Sequence, residues 1–180
     1  MSINTKRLLL RNWRESDFDP FCAMCADKEV MRYFPSTLTR CESLATAHKI
    51  KSLIDERGWG FWAVEIPDCC EFIGFVGLHT PSANLPFAPC VEVGWRLNKA
   101  FWGKGYATEA ASAAIDYGFS VLQLAEIVAF TAALNQPSIN VMRRVGMQEA
   151  GQDFQHPDVP EHSPLRHHVL YRIASPSATV

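Results

Sequence analysis

Apolar residues recur along this chain with two periods, and the switch between them marks out its elements. The stretch 6–13 is a short apolar run flanked by Arg7 and Arg11, which predicts a first strand. Ser16-Asp17 stands as a cap before Phe18, Phe21, Met24 and Cys25, which are spaced for one face of a helix. Pro35 breaks that spacing, and Leu44, Ala47, Ile50 or Lys51, and Ile54 then predict a second helix over about 40–57, ended by Gly58 and Gly60. The runs 61–66, 72–79 and 91–97 read as neighbouring antiparallel strands. A turn at Pro67-Asp68 joins the first two, and a proline-rich loop over 81–89 leads to the third. Beyond it the pattern predicts a helix over 106–121, a strand over 126–131 and a helix over 138–145 with Gly146 as its C-terminal cap. Closing strands are expected over 148–154 and 168–173, separated by a loop rich in proline and histidine, and the tail 175–180 is expected to fray. The order β-α-α-β-β-β-α-β-α-β-β describes an α+β (mixed α/β) domain around one central sheet.

Composition narrows the function classes. Apolar residues make up 48% of the 180 positions and charged residues 20%, enough for a full core in one domain spanning 1–180 without linker or repeat. The net charge of −2, with no basic block, argues against nucleic-acid binding. No apolar run approaches the ~20 residues that span a bilayer. The leucines at 8–10 are too short a run for a secretory core, so no membrane role and a cytoplasmic location are expected. Of six cysteines, Cys22 and Cys25 form a C-x-x-C, but no second pair follows and this one falls inside a predicted helix. Free, reduced cysteines and no metal site are expected.

One stretch points to chemistry. In NKAFWGKGYATEAASAA, residues 98–114, Gly103 and Gly105 flank Lys104 where a helix begins. A helix start exposes unpaired N–H groups and a partial positive charge, and glycines let a ligand approach the backbone. This suits an anion such as phosphate, although a plain strand-to-helix turn needs the same glycines. The P-loop pattern is excluded because Lys104 is followed by Gly105-Tyr106 instead of a hydroxyl. The dinucleotide fingerprint is disfavoured by Thr108 at its third small position, by Glu126 opening the next strand, and by the antiparallel look of the strands before the loop.

These residues, taken with others, resemble the GNAT superfamily of N-acetyltransferases, in the branch that acetylates the N-termini of ribosomal proteins on alanine or serine. The resemblance runs over about 5–173, through TKRLLLRNWRESDFDPF, GFWAVEI, EFIGFVGL, VEVGWRLNKAFWGKGYATEA, NQPSINVMRRVGM and HHVLYRI. It implies a mostly antiparallel twisted sheet whose fourth and fifth strands splay apart, with flanking helices. The family's loop is written [QR]-x-x-G-x-[GA], and here Ala100 holds the first position. The family implies acetyl-CoA as co-substrate and a primary amine as acceptor. Its pyrophosphate would lie on Trp102, Gly103, Lys104, Gly105, Tyr106 and Ala107, with Thr108 behind. Asn135 and Ser138 fall where the family touches the pantetheine arm or adenosine, although either is also an ordinary helix cap. Trp95, Arg96 and Leu97 of the splayed strand are the implied contacts of pantetheine and acetyl.

Acetyl transfer needs a neutral amine, a donor for the oxygen that gains charge, and relief of the leaving thiolate. Alternation puts Glu92, Gly94 and Arg96 on one face of the run 91–97. Glu92 is the candidate base, acting through water; the alternative is a salt bridge with Arg96 or another cation. Many relatives use a tyrosine as acid after the helix near Asn135, but none occurs between Tyr117 and Tyr171. His156, His162, His167 and His168 are chemically possible, although such a loop more often lies in solvent or lines an entrance. Tyr33, Phe34, Trp59 and His156 are expected around the acceptor. The acceptor class stays open between peptide and small-molecule amines, and the assembly between monomer and homodimer. A catalytically silent acyl-CoA-binding or regulatory module is the competing function.

Overall fold

The computed structural model describes residues 2–81 and 84–176. Part of the proline-rich loop and most of the tail expected to fray therefore lie outside the described residues. The strands are β1 (Ile3–Asn4), β2 (Leu9–Arg11), β3 (Phe61–Ile66), β4 (Cys70–His79), β5 (Glu92–Leu97), β6 (Glu126–Ala132), β7 (Gln148–Glu149), β8 (Phe154–Gln155) and β9 (His167–Ala174). The helices are α1 (Phe18–Ala26), α2 (Arg40–Arg57), α3 (Tyr106–Ser120) and α4 (Gln136–Arg144). The sheet runs β1-β2-β3-β4-β5-β6-β9-β7, with β8 also on β9. Every pairing is antiparallel except β5 with β6.

Two expected strands are broken. The stretch 6–13 begins inside a turn, where Thr5 N donates to Leu8 O at 2.9 Å, and only Leu9–Arg11 registers with β3. Trp13 leaves the sheet to bury its ring, its indole donating to Phe61 O at 2.7 Å. The stretch 148–154 divides into β7 and β8 around Gly151, whose φ of 63° turns the chain. With β1 and β2 separate, the splayed strands become the fifth and sixth. The second helix keeps its expected bounds because Thr39 and Glu42 close a capping box at its start.

Face assignment follows from register. Ile127 and Leu78 meet α3 near Gly118, so their face of the sheet carries α3. The opposite face carries α1 and α2: Phe21 packs on Phe75, and Ile54 lies against Gly60. Arg11 is buried and ties this face together, bonding Asp17 ahead of α1 at 2.8 and 2.9 Å and Glu65 of β3 at 2.6 Å. Among the described residues, no helix is long and apolar enough to cross a membrane.

Candidate active site

The loop before α3 presents bare backbone. Gly103 and Gly105 take φ of 73° and 79°, values that strain any other residue. No N–H from Gly103 to Thr108 donates to a protein acceptor among the described residues. A Cβ on Gly103 would meet nothing within 4 Å, and one on Gly105 only Arg7 Nη2 at 3.4 Å, so the loop is open on its outer side. The start of α3 adds its partial positive charge, and Lys104 lies exposed beside the Phe101 ring.

A brace beneath this loop was missed by sequence reasoning. Arg7 Nη1 donates to Lys104 O at 2.9 Å, and Arg7 Nε to Glu109 Oε2 at 2.6 Å. Thr5 Oγ1 donates to the other Glu109 oxygen at 2.7 Å. Burial pushes the Glu109 carboxyl up, but the bonds from Thr5 and Arg7 outweigh it and hold the group below its ordinary range. An acid in the first turn of α3 is a readable signal. Its partners, about a hundred residues away in the chain, have no local signature.

Beside the loop the sheet opens. Val128 N donates to Val91 O at 3.0 Å, and β5 registers with β6 only at Glu92↔Val128. Asn98 N bonds Ile73 O at 2.9 Å, so alternation turns the backbone groups of Trp95 and Leu97 toward the gap and those of Arg96 toward β4. The Leu97 carbonyl is already taken by the Trp102 indole at 2.8 Å. Across the gap, the Trp95 indole donates to Ser138 Oγ at 3.3 Å. Asn135 Nδ2 reaches the same oxygen at 3.1 Å, while Asn135 Oδ1 accepts from Ser138 N at 3.3 Å. Trp95, Asn135 and Ser138 thus form one cluster, in which Asn135 also caps α4.

On the α1–α2 face, Glu92, Gly94 and Arg96 lie opposite His79, Gly77 and Phe75 of β4. A cavity of about 300 Å³ lies between α2 and this face, with Trp59, Phe61, Phe75, His79 and Arg96 in its wall. Arg96 does not pair with Glu92: its Nη1 donates to Cys25 Sγ at 3.2 Å, and its guanidinium sits 4.3 Å from the Phe34 ring. The Glu92 carboxylate has no hydrogen-bond or ion-pair partner among the described residues, and burial pushes its pKa up to about 7. Tyr33 stacks under Arg32 outside the cavity wall. His156 packs on Phe130, Phe154 and His168, with 4.8 Å between the two imidazole centroids. Phe130 shares a face with Glu92, since Glu92 registers with Val128, two positions before it. His156 and the cavity therefore lie on one face, on opposite sides of Glu92.

The histidine loop is less exposed than its composition implies. His168 is buried because it registers between Ala132 of β6 and Phe154 of β8 and packs on the rings of Phe130, Phe154 and His156, and burial drives its pKa down to about 4. Burial also lowers His156. Both are neutral imidazoles at neutral pH. His162 and His167 are exposed.

Comparison with known proteins decides the family. The profile described as "Acetyltransferase (GNAT) domain" matches residues 7–148. The chain belongs to the GNAT acetyltransferase family. YnaD, described as an uncharacterized N-acetyltransferase of Bacillus subtilis, is 32% identical over 161 residues, covering 84% of this chain and 85% of that one. A GNAT-family acetyltransferase structure from Bacillus anthracis superposes with a TM-score of 0.80 at 27% identity, over 97% of this chain and 98% of its own. The fold also matches a ribosomal L7/L12 α-N-protein acetyltransferase solved with coenzyme A, with a TM-score of 0.76 at 16% identity, over 97% and 98% of the two chains. The GNAT fold expected from sequence is thus the observed one. The protein is an acetyl-CoA-dependent N-acetyltransferase.

Proposed function

We propose that this GNAT enzyme acetylates a primary amine, of a peptide or a small molecule, by direct attack within a ternary complex, and that 1–180 is one catalytic domain with its core at about 5–173. The carrying observation is Glu92: an acid with no partner among the described residues, pKa about 7, at the single register where β5 and β6 join. An unpaired acid on a central strand costs stability, and a base poised near neutral pH is what proton abstraction wants.

Acetyl-CoA supplies the acetyl thioester. The residues fit it: the unpaired amides from Gly103 to Thr108 suit the pyrophosphate, with Lys104 adding charge, and Arg7 and Glu109 hold the loop in shape. The Trp95 backbone faces the gap with its hydrogen-bonding groups toward the donor, and Asn135 and Ser138 line the far side. The Leu97 carbonyl is spent on Trp102 and leaves Trp95 the better contact. Arg96 serves the opposite face. There, Glu92 accepts the amine's proton through water. Trp59 and Phe34 on one side and His156 on the other keep the acceptor's body out of solvent, with Tyr33 at the outer margin. Turnover of acetyl-CoA with a panel of amines tests the reading. Glu92→Gln is expected to lower kcat by about 10²-fold or more with CoA binding near wild type. Unchanged kcat in that variant refutes Glu92 as the base.

A further inference from the structure

The cavity on the α1–α2 face holds positive charge that no acidic group among the described residues pairs with. Its wall includes Lys49 and Arg57 from α2 and Arg96 from β5, and no aspartate or glutamate. None of these three cations forms an ion pair among the described residues, whereas Lys51 on the same helix pairs with Asp55 at 2.7 Å. Arg96 is the extreme case. Its Nε is buried without an acceptor, and its surroundings are the Cys25 sulfur and the rings of Phe34 and Phe75 at 4.3 and 5.4 Å. Burial lowers its pKa, with only Cys25 acting against this. His79 offers no relief: burial and then the charges of Arg57 and Lys49 push it down, so it stays neutral.

An uncompensated buried cation is costly, and a ligand anion removes that cost. A guanidinium matches a planar carboxylate well. Trp59, Phe61 and Ile50 supply an apolar wall suited to a hydrocarbon spacer. The volume of about 300 Å³ fits a small molecule. The same positive field disfavours an ammonium ion, which helps to hold an incoming amine neutral and repels polycations.

We propose that the acceptor is a small amine that also bears a carboxylate, its anion held by Lys49, Arg57 and Arg96 and its amine directed toward Glu92, and that polyamines are rejected by like charge. This rests on the acetyl-transfer reading above and deepens it. Three probes of equal chain length test it: aminocaproate, n-hexylamine and hexamethylenediamine. The kcat/KM for aminocaproate is expected to exceed that for hexylamine about 10-fold or more, with the diamine poorest. Arg96→Met should collapse the aminocaproate-to-hexylamine ratio, a readout from which general loss of activity cancels. If that variant does not fold, Arg57→Gln, at an exposed position, is expected to reduce the same ratio. Caproate, which lacks the amine, should raise the melting temperature of the CoA-bound protein, and less so in either variant. A diamine turned over as well as aminocaproate overturns the proposal. So does turnover of an acidic peptide with none of aminocaproate. Caproate binding with no amine acetylated upholds the anion site and instead overturns the transfer reading.

Discussion

Glu92→Gln should make the protein less active and, at alkaline pH, more stable. Burial holds the Glu92 proton in the folded state up to pH about 7, against 4.5 for a free side chain. Below pH 4.5 the carboxyl is neutral in both states and costs nothing. As pH rises from there to about 7, the unfolded chain releases its proton first, so folding stability falls. A shift of this size is worth about 1 kcal/mol at pH 5 and about 3 kcal/mol at pH 8. The latter is an upper bound, since the half-buried residue keeps some contact with water. Glutamine cannot ionise, so urea melts should show the variant gaining on wild type as pH is raised from 5 to 8, while turnover falls about 10²-fold. In the wild type, the acidic limb of the rate profile should have its midpoint near pH 7 and should vanish in the variant. The opposite sign, a variant less stable than wild type at pH 8, would show a carboxylate held by a cation and refute the reasoning.

The remaining tests probe the donor and acceptor sides. Gly105→Asp places a side chain at φ 79° and a negative charge on the open loop, and should weaken CoA binding by at least ~2 kcal/mol by calorimetry; unchanged affinity in the folded variant rules out the cradle. Arg7→Ala removes the bond to Lys104 O and the pair with Glu109, and should raise the Kd for CoA several-fold, about 1 kcal/mol, while leaving the amine KM in place. Tyr33→Ala and His156→Ala should raise KM for the amine without raising KM for acetyl-CoA; effects confined to the donor would move the acceptor elsewhere.

Local rules made much of this fold readable. The bounds of α2 follow from a capping box and a terminal glycine, and β3 from an apolar run broken only by Glu65, both signals within a few residues. The loop at Gly103 to Gly105 was legible for the same reason: positive φ and a following helix have local signatures. The breaks in the first and next-to-last expected strands were not, because they depend on which residues find a partner in β3 or β9. Arg7 and Glu109 show the same limit, as does the burial of His168, which polar composition hides and packing on Phe130, Phe154 and His156 decides. Glu92, without a partner among the described residues, lay between: alternation placed it with Arg96, but only packing shows Arg96 turned to Cys25.

The opening between β5 and β6 also bears on how this protein behaves in a crowded solution. A sheet normally exposes its unpaired backbone groups at its rims, where another chain can add as a further strand. Here the rims are β1 on one side and β7 with β8 on the other, strands of two residues each, too short to template such addition. The unpaired groups of Trp95 sit instead in the interior of the sheet, flanked by strands of the same chain. The protein thus keeps an unfinished strand edge for its ligand without offering one to its neighbours, and should resist edge-to-edge aggregation at high concentration even with its cleft empty.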